Sequence, residues 1–277
     1  MKLRGIVALA VALSALISVS CSSGPRPPQP GTPAFFWAAA QETYAAGDYL
    51  KTAQHLESIL NSENEYTARA YPWYLTLTAG MARGYSELAE NFEYGAKANR
   101  GNPTPFRRQM NDYRTVANRL YLQFGEAFMK FQAASKDDAT VPLAFTYPKG
   151  SIFPSSQLDK IAHGQILQPA ILEDVQRSHL QTAVLMSTTR VVGAPEDTAR
   201  TQEVFKAESP AVPREVFMAE MANMMYDAAK LYAPDKLAND KRVEFFATRA
   251  MDTLKGLPET KETKDLKAKL EKLTAKK

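Results

Sequence analysis

The residue types that most often carry catalysis or bind metals are scarce and scattered in this sequence. Its histidines are His55, His163 and His179. No two of them stand three or four residues apart, the spacing at which helical side chains share a face and can hold one metal ion. No HExxH, GxSxG, phosphate-binding or dinucleotide-binding glycine motif occurs. The sequence therefore predicts a protein that is not an enzyme and that has neither a metal site nor a cofactor.

Two pairs of acidic residues, Asp137-Asp138 and Glu173-Asp174, are adjacent in the chain. Neighbouring side chains on a helix point in different directions, so these pairs do not form an acid–base couple. We expect them to be solvated surface residues. An enzyme would instead require a buried cluster of carboxylates, which only a tertiary structure could reveal.

The single cysteine follows a segment with the layout of a secretory signal. Lys2 and Arg4 give a positive start, residues 6–19 are mainly apolar, and small residues lead into Cys21. The apolar run is about 14 residues long, shorter than the ~20 that a membrane-spanning helix needs. Residues 1–20 are therefore predicted to be a signal peptide. An ordinary secretory signal with a coincidental cysteine, or an N-terminal membrane anchor, are the alternatives.

Residues 18–21, Ser-Val-Ser-Cys, resemble the lipobox of bacterial lipoproteins, in which the cysteine is lipidated. The resemblance implies a mature chain that begins at Cys21 and is held at a membrane by acyl chains, palmitate among them. Each buried methylene contributes about 0.8 kcal/mol, so several chains give a lasting anchor. The absence of Asp after the cysteine implies retention at the periplasmic face of the outer membrane of the cell envelope.

Charge and cysteine content exclude other classes of protein. The formal net charge is +4 over 277 residues, far from the strong basicity that nucleic-acid-binding domains show along one face. No nucleic-acid partner is therefore expected. Cys21 has no second cysteine with which to pair, so the stability of the fold must come from packing.

Beyond the cysteine, the chain changes from a tether to a helical pattern. Residues 21–33 are rich in Pro, Gly and Ser, and predict a semi-extended tether. From residue 34 apolar positions recur at helical spacing, and Gly47-Asp48 interrupts them. Two helices joined by such a short turn form an αα-hairpin.

Two stretches resemble the tetratricopeptide repeat (TPR). Residues 45–60, AAGDYLKTAQHLESIL, resemble the turn and second helix of one repeat. In a second stretch, Trp73, Gly84, Ala89 and Ala96 fall at the spacing of the family's tryptophan, turn glycine and helix alanines. The period is 37 residues between the turn glycines, close to the family's ~34.

The resemblance implies an all-α fold of stacked antiparallel helical hairpins, a TPR-like α-solenoid spanning residues 34–277. The repeat-like pairs are expected at residues 34–61, 72–99 and 213–255, followed by a capping helix at residues 259–274. One irregular Pro-rich loop, at about residues 141–156, interrupts the helices. This loop is either a binding lip or a connector whose aromatic side chains fill a groove.

TPR solenoids bind protein partners along a concave groove lined by the first helix of each pair. The family positions map here onto Trp37, Gln41, Tyr44, Tyr74, Thr78 and Met81. These residues are either anchors for a partner or packing residues between repeats. The resulting hypothesis is a membrane-anchored scaffold or adaptor with an unidentified envelope protein as partner. The alternative is a lipoprotein associated with solute uptake that holds a small molecule between its helices.

Overall fold

The computed structural model describes residues 27–135, 138–152 and 155–275. The ordered elements are helices apart from two strands of three residues each, so the predicted all-α fold class is confirmed. The buried residues of the described chain lie between Trp37 and Leu270, so a chain that starts at Ser22 keeps the complete described core. The predicted signal peptide and Cys21 lie outside the described residues.

The elements follow one another in this order: α1 (Pro33–Ala46), α2 (Tyr49–Leu60), α3 (Thr67–Ala98), α4 (Thr104–Ala134), β1 (Thr140–Pro142), α5 (Ser156–Ala162), α6 (Pro169–Val191), α7 (Thr198–Phe205), β2 (Ala211–Pro213), α8 (Arg214–Leu231), α9 (Asp240–Lys255) and α10 (Lys261–Thr274). Within the described ranges, no helix combines the length and the apolar character needed to cross a membrane.

The first two helices form a hairpin at the position of the first predicted pair. The Thr32 hydroxyl accepts a hydrogen bond from the Phe35 amide and caps the start of α1. Gly47 ends α1 with φ of 80°, a left-handed conformation that glycine adopts without a Cβ penalty. Asp48 then caps α2 by accepting from the Lys51 amide. Capping residues visible in the sequence therefore set the turn.

The second predicted hairpin, at residues 72–99, is wrong. These residues belong to α3, a single helix that continues through Gly84 without a turn. The small residues serve a different contact: a Cβ on Gly84 would lie 2.9 Å from the Cβ of Ala183, and one on Gly80 would lie 3.0 Å from the Cβ of Ser187. Because these glycines have no Cβ, α6 can pack directly against the backbone of α3.

Helix α3 is the axis of the molecule. It packs against α2, α4, α5, α6 and α8, whereas a solenoid repeat contacts only its neighbours, so the TPR-like solenoid is not confirmed. Every residue from 70 to 82 is buried, as expected for a helix covered on all sides. The buried hydroxyls of Thr76 and Thr78 donate to the carbonyls of Pro72 and Tyr74, so they need no outside partner.

The Pro-rich loop acts as a connector in its described part. Strand β1 pairs antiparallel with β2, with Val141 opposite Val212. Further along, the ring of Phe145 stacks on Trp73 at 5.9 Å between centroids. The Tyr49 hydroxyl donates to the carbonyl of Lys149 and fixes the loop to α2. Of the two alternatives, the described residues fit the aromatic-filled connector.

The C-terminal helices form a second hairpin and a final helix. Helices α8 and α9 pack together at the position of the third predicted pair. Helix α10 begins with a capping box between Thr260 and Thr263. It buries Leu266 and Leu270 while its lysines stay largely exposed, the polar outer face expected of a capping helix.

Gly84→Ala tests the contact between α3 and α6. Alanine normally stabilises a helix interior by about 1 kcal/mol relative to glycine. Here we expect the variant to lose about 1–2 kcal/mol of unfolding free energy, because the added methyl group overpacks the contact with Ala183. Urea unfolding of the chain beginning at Ser22 measures this loss.

Gly101→Ala is the matched control, since the nearest atom to its added Cβ would lie 4.0 Å away, and it should be near neutral. Ala183→Gly should cost less unfolding free energy in the Gly84→Ala background than in the wild type, because it removes the methyl group that the new Cβ meets. A Gly84→Ala protein as stable as the wild type would contradict the tight contact.

Candidate functional site

The predicted partner-binding positions do not form a surface. Five of the six are buried, namely Trp37, Tyr44, Tyr74, Thr78 and Met81, and Gln41 alone of them is exposed. The reason is that α1 and α3 face each other through these side chains: Trp73 lies edge-on to Trp37 at 5.4 Å and to Tyr44 at 5.2 Å. The alternative, packing between helices, is what the structure supports. The five buried residues therefore belong to the core and do not line an open groove.

A group of charged residues, here called the ionic cluster, joins three helices; Glu220 is buried and the other members are partly buried. It consists of Arg83 and Glu87 on α3, His179 and Arg190 on α6, and Glu220 and Asp227 on α8. Its members pair across the helices as well as within them.

Arg83 is the hub of the ionic cluster. Its Nε lies 2.9 Å from Oε1 of Glu87, and its Nη1 lies 4.0 Å from Oδ2 of Asp227. His179 Nε2 lies 3.2 Å from Oε2 of Glu87, within ion-pair distance but without hydrogen-bond geometry. Burial opposes ionisation of Glu87, but His179 and Arg83 outweigh it and lower the pKa of this carboxyl.

Glu220 is the most perturbed acid of the ionic cluster. Its side chain is only 8% exposed, and its Oε1 lies 3.7 Å from Nη1 of Arg190. The Asn223 amide donates to its Oε2 at 3.3 Å. Burial raises its pKa to about 8, because the long contact with Arg190 does not repay the lost hydration. Glu220 is therefore mostly protonated at neutral pH.

A polar cleft leads from the surface toward the ionic cluster. Its cavity of about 110 Å³ is lined by Arg83, Tyr121 and Asp227, and an ion pair between Lys236 and Glu90 lies at its wall. A further space of about 10 Å³, the size of one water molecule, continues from there to Glu220. Among the described residues, no set of three His, Cys, Asp or Glu side chains is arranged to hold a metal ion.

A second and larger site lies where α3 ends and α4 begins. This cavity, here called the terminal groove, has a volume of about 530 Å³. Its lining includes four cations, Lys97, Arg100, Arg107 and Arg114. Glu93 accepts from Lys97 at 2.7 Å and from Arg114 at 2.8 Å. Arg100 and Arg107 have no ion-pair partner within the described ranges, so the terminal groove offers free positive charge.

The connection that carries Arg100 is fixed in place. The Asn99 side chain accepts from the Asn102 amide at 3.0 Å and donates to the Gly164 carbonyl at 3.1 Å. Gly164 has φ of +84°, and a Cβ there would lie 3.0 Å from the Asn99 nitrogen. The α3–α4 connection and the α5–α6 connection are thus held together.

An apolar cleft of about 100 Å³ lies on the other side of the first turns of α4. It is lined mainly by Phe92, Phe106, Ile161, Ile166, Leu167 and Leu172. The large hydrophobic side chains that are exposed in the described chain are Tyr94, Ile166 and Ile171. All three belong to this end of the molecule, beside the apolar cleft or the terminal groove.

The sequence analysis predicted neither the ionic cluster nor the terminal groove, although the sequence at the start of α4 contains an indication of the terminal groove. Arg107 and Arg108 follow shortly after the start of α4, whose first turn carries no acidic residue. Positive charge near a helix N-terminus opposes the helix dipole, and an uncompensated local conflict of this kind is typical of functional positions. The ionic cluster left no comparable signal, because it requires three helices whose relative positions the sequence does not show.

Glu220→Gln tests the state of the buried acid. The folded pKa of about 8 lies above the unfolded value of about 4.3, so the folded wild type holds an extra proton between these pH values. Its unfolding free energy should therefore fall with rising pH across this window, by at most about 1.4 kcal/mol per pH unit. Urea unfolding of the chain beginning at Ser22, at pH 5 and pH 8, should show a smaller fall for Glu220→Gln. The exposed Glu208→Gln control should behave as the wild type, and an unchanged fall in Glu220→Gln would contradict the assignment.

Comparison with known proteins supplies no relative for this chain. No protein-family model matches it, and neither a curated protein nor a solved structure does. Its function is therefore argued from the geometry and charge of the sites described above.

Proposed function

We propose that this protein is a lipid-anchored adaptor of the bacterial cell envelope that binds an anionic partner in the terminal groove. Cys21 would carry the acyl chains and hold the protein at the periplasmic face of the outer membrane. The observation that supports this role is the free positive charge of Arg100 and Arg107 on a cavity of about 530 Å³. The partner surface thus moves from the buried positions predicted from the sequence to the end of α3.

The placement of the terminal groove also suits an adaptor. Helix α1 begins near the start of α3, where Trp37 stacks on Tyr66 at 5.3 Å. The terminal groove lies at the other end, and α3 rises about 46 Å from Tyr66 to Lys97 at ~1.5 Å per residue. The tether and the partner would therefore attach to opposite ends of one rigid helix.

The ionic cluster supports a non-enzymatic role. Each of its carboxylates lies beside a cation, and such pairing is typical of structural ion pairs. A general acid or base needs a proton position that is free to face a substrate. The acidic residues of the ionic cluster instead pair with cations on neighbouring helices and join α3, α6 and α8.

A lipoprotein that binds a small anion for solute uptake is the second candidate. The volume of the terminal groove falls within the ~300–1,000 Å³ of small-molecule sites. Small-molecule sites are, however, mostly apolar and enclose their ligand. The terminal groove is open and lined largely by charged residues, which favours a macromolecular partner.

Arg100→Glu/Arg107→Glu tests the adaptor role. We expect the double variant to lose a protein that co-purifies with the wild type from gently solubilised membranes, because repulsion replaces attraction in the terminal groove. Quantitative mass spectrometry measures the co-purified protein. Arg200→Glu/Lys241→Glu, which reverses two exposed cations outside the terminal groove, should retain it.

Circular dichroism should show the same helix content in both double variants. A partner retained by the Arg100→Glu/Arg107→Glu protein would exclude the terminal groove as its binding site. Absence of any reproducible partner would count against the adaptor and direct the search to small anions.

Cys21→Ala tests the anchor separately. Metabolic labelling with palmitate should mark the wild type and not the variant, and the variant should leave the outer-membrane fraction because it has no acyl chains. Ser22→Ala, at the next position, should remain labelled. A labelled Cys21→Ala protein, or an unlabelled wild type, would refute the lipobox assignment.

A further inference from the structure

We infer that the partner is an acidic, amphipathic protein segment that lies across the first turns of α4. Its carboxylates would meet Arg100 and Arg107, and an apolar side chain would enter the apolar cleft. This inference rests on the proposed adaptor function and specifies the chemistry of the partner.

The charge around the terminal groove favours an anionic partner, because four cations and only two acidic residues, Glu93 and Asp235, line it. Residues 93–114 contain five basic and two acidic residues. Glu93 is already shared between Lys97 and Arg114, so it leaves Arg100 and Arg107 unneutralised. Arginine binds carboxylates through two parallel hydrogen bonds, which gives direction as well as attraction. Acidic side chains spaced along one segment would satisfy both arginines.

The apolar cleft requires that the same partner also be amphipathic. Ile166 is 54% exposed and Ile171 is 41% exposed, although isoleucine is among the residues most often buried. The cavity between Ile166 and Phe106 is about 100 Å³, the size of a single apolar side chain. One anchoring residue with polar surroundings is the usual arrangement in peptide recognition.

The two cavities flank the same few residues, so one segment can reach both. Pro103 and Arg107 line the terminal groove, whereas Pro105 and Phe106 line the apolar cleft. A helix laid across these turns would present acidic residues to one side and its apolar face to the other, as amphipathic helices do in recognition grooves.

The receiving surface is already ordered. The hydrogen bond from Asn99 to Gly164 joins the α3–α4 connection to the α5–α6 connection. Phe106 lies directly against Gly95, where a Cβ would stand 2.6 Å from its ring. Little loop entropy is therefore lost on binding, which favours association with a specific segment.

The concave shape favours a protein segment over a lipid surface. Cations that bind the headgroups of a lipid bilayer project from the protein surface. Here Arg100 and Arg107 are exposed, whereas Arg114 in the same groove is only 13% exposed and is paired with Glu93. Side chains that insert from a narrow segment reach such positions, whereas a flat array of headgroups does not.

Site-specific photo-cross-linking identifies the partner segment directly. A photoreactive residue is placed at Asn111 in the terminal groove, at Gln165 beside the apolar cleft, or at the exposed control position Gln202 on α7. The full-length lipidated protein is used in intact cells. We expect Asn111 and Gln165 to cross-link to one segment that carries Asp or Glu beside apolar residues, and Gln202 not to reach it.

A charge swap then tests the contact itself. Arg100→Glu/Arg107→Glu should weaken binding of the identified segment at least about ten-fold, as expected for the loss of two charged contacts. Arg100→Lys/Arg107→Lys should retain part of it, and Arg200→Glu/Lys241→Glu should retain all. Replacing the segment's acidic residues with arginine should restore binding to the Arg100→Glu/Arg107→Glu protein.

A vesicle experiment tests whether anionic lipid, rather than an acidic protein segment, binds the terminal groove. The chain beginning at Ser22 is sedimented with vesicles of phosphatidylcholine alone or with phosphatidylglycerol added. Binding to phosphatidylglycerol that depends on Arg100 and Arg107, without a protein cross-link, would overturn the inference. A cross-linked segment that is neutral or basic would also overturn it but leave the adaptor role intact. Absence of any protein partner at the terminal groove would overturn both.

Discussion

The close approach of other helices to α3 is the constraint on which the rest of the structure depends. Gly80 and Gly84 remove the side chains that would hold α6 away, and a Cβ on Gly95 would collide with the carbonyl oxygen of Ile161 in α5. Because α3 is covered on every side through its first half, it cannot bend or slide without opening the core. The adaptor proposal uses α3 as the axis between the tether end of the molecule and the terminal groove.

The ionic cluster and the terminal groove, which both lie along α3, differ in how far their charges are paired. In the ionic cluster the cations and carboxylates neutralise one another, and the least well paired acid, Glu220, retains its proton. In the terminal groove Glu93 pairs with Lys97 and Arg114, whereas Arg100 and Arg107 are exposed and have no ion pair among the described residues. Buried charge must be compensated within the fold because hydration is lost, whereas exposed charge can remain free for a partner. The same helix thus joins the ionic cluster to the terminal groove, where the proposed partner would bind.

The fold was predictable where local signals decide and not where helices meet. The break at Gly47 and Asp48, and the apolar stripe of α10, were correct because caps and periodicity act within a few residues. The hairpin predicted at Gly84 was wrong, since a small residue that permits a turn also permits close helix packing. The same ambiguity assigned buried residues to a predicted binding groove, because aromatic residues such as Trp37 suit an interface and a core equally well.

The sequence by itself determined the helical class, the main breaks between helices, and the absence of familiar catalytic motifs. It also determined the lipobox-like residues before the tether, which carry the proposal of a membrane anchor. Only the tertiary structure decided that α3 is central, that Tyr74 and Met81 are buried, and that free arginines meet an apolar cleft at one end. The physical reason is that caps and periodicity are properties of neighbouring residues. Burial and net local charge depend on which distant segments come together, and that is settled by packing.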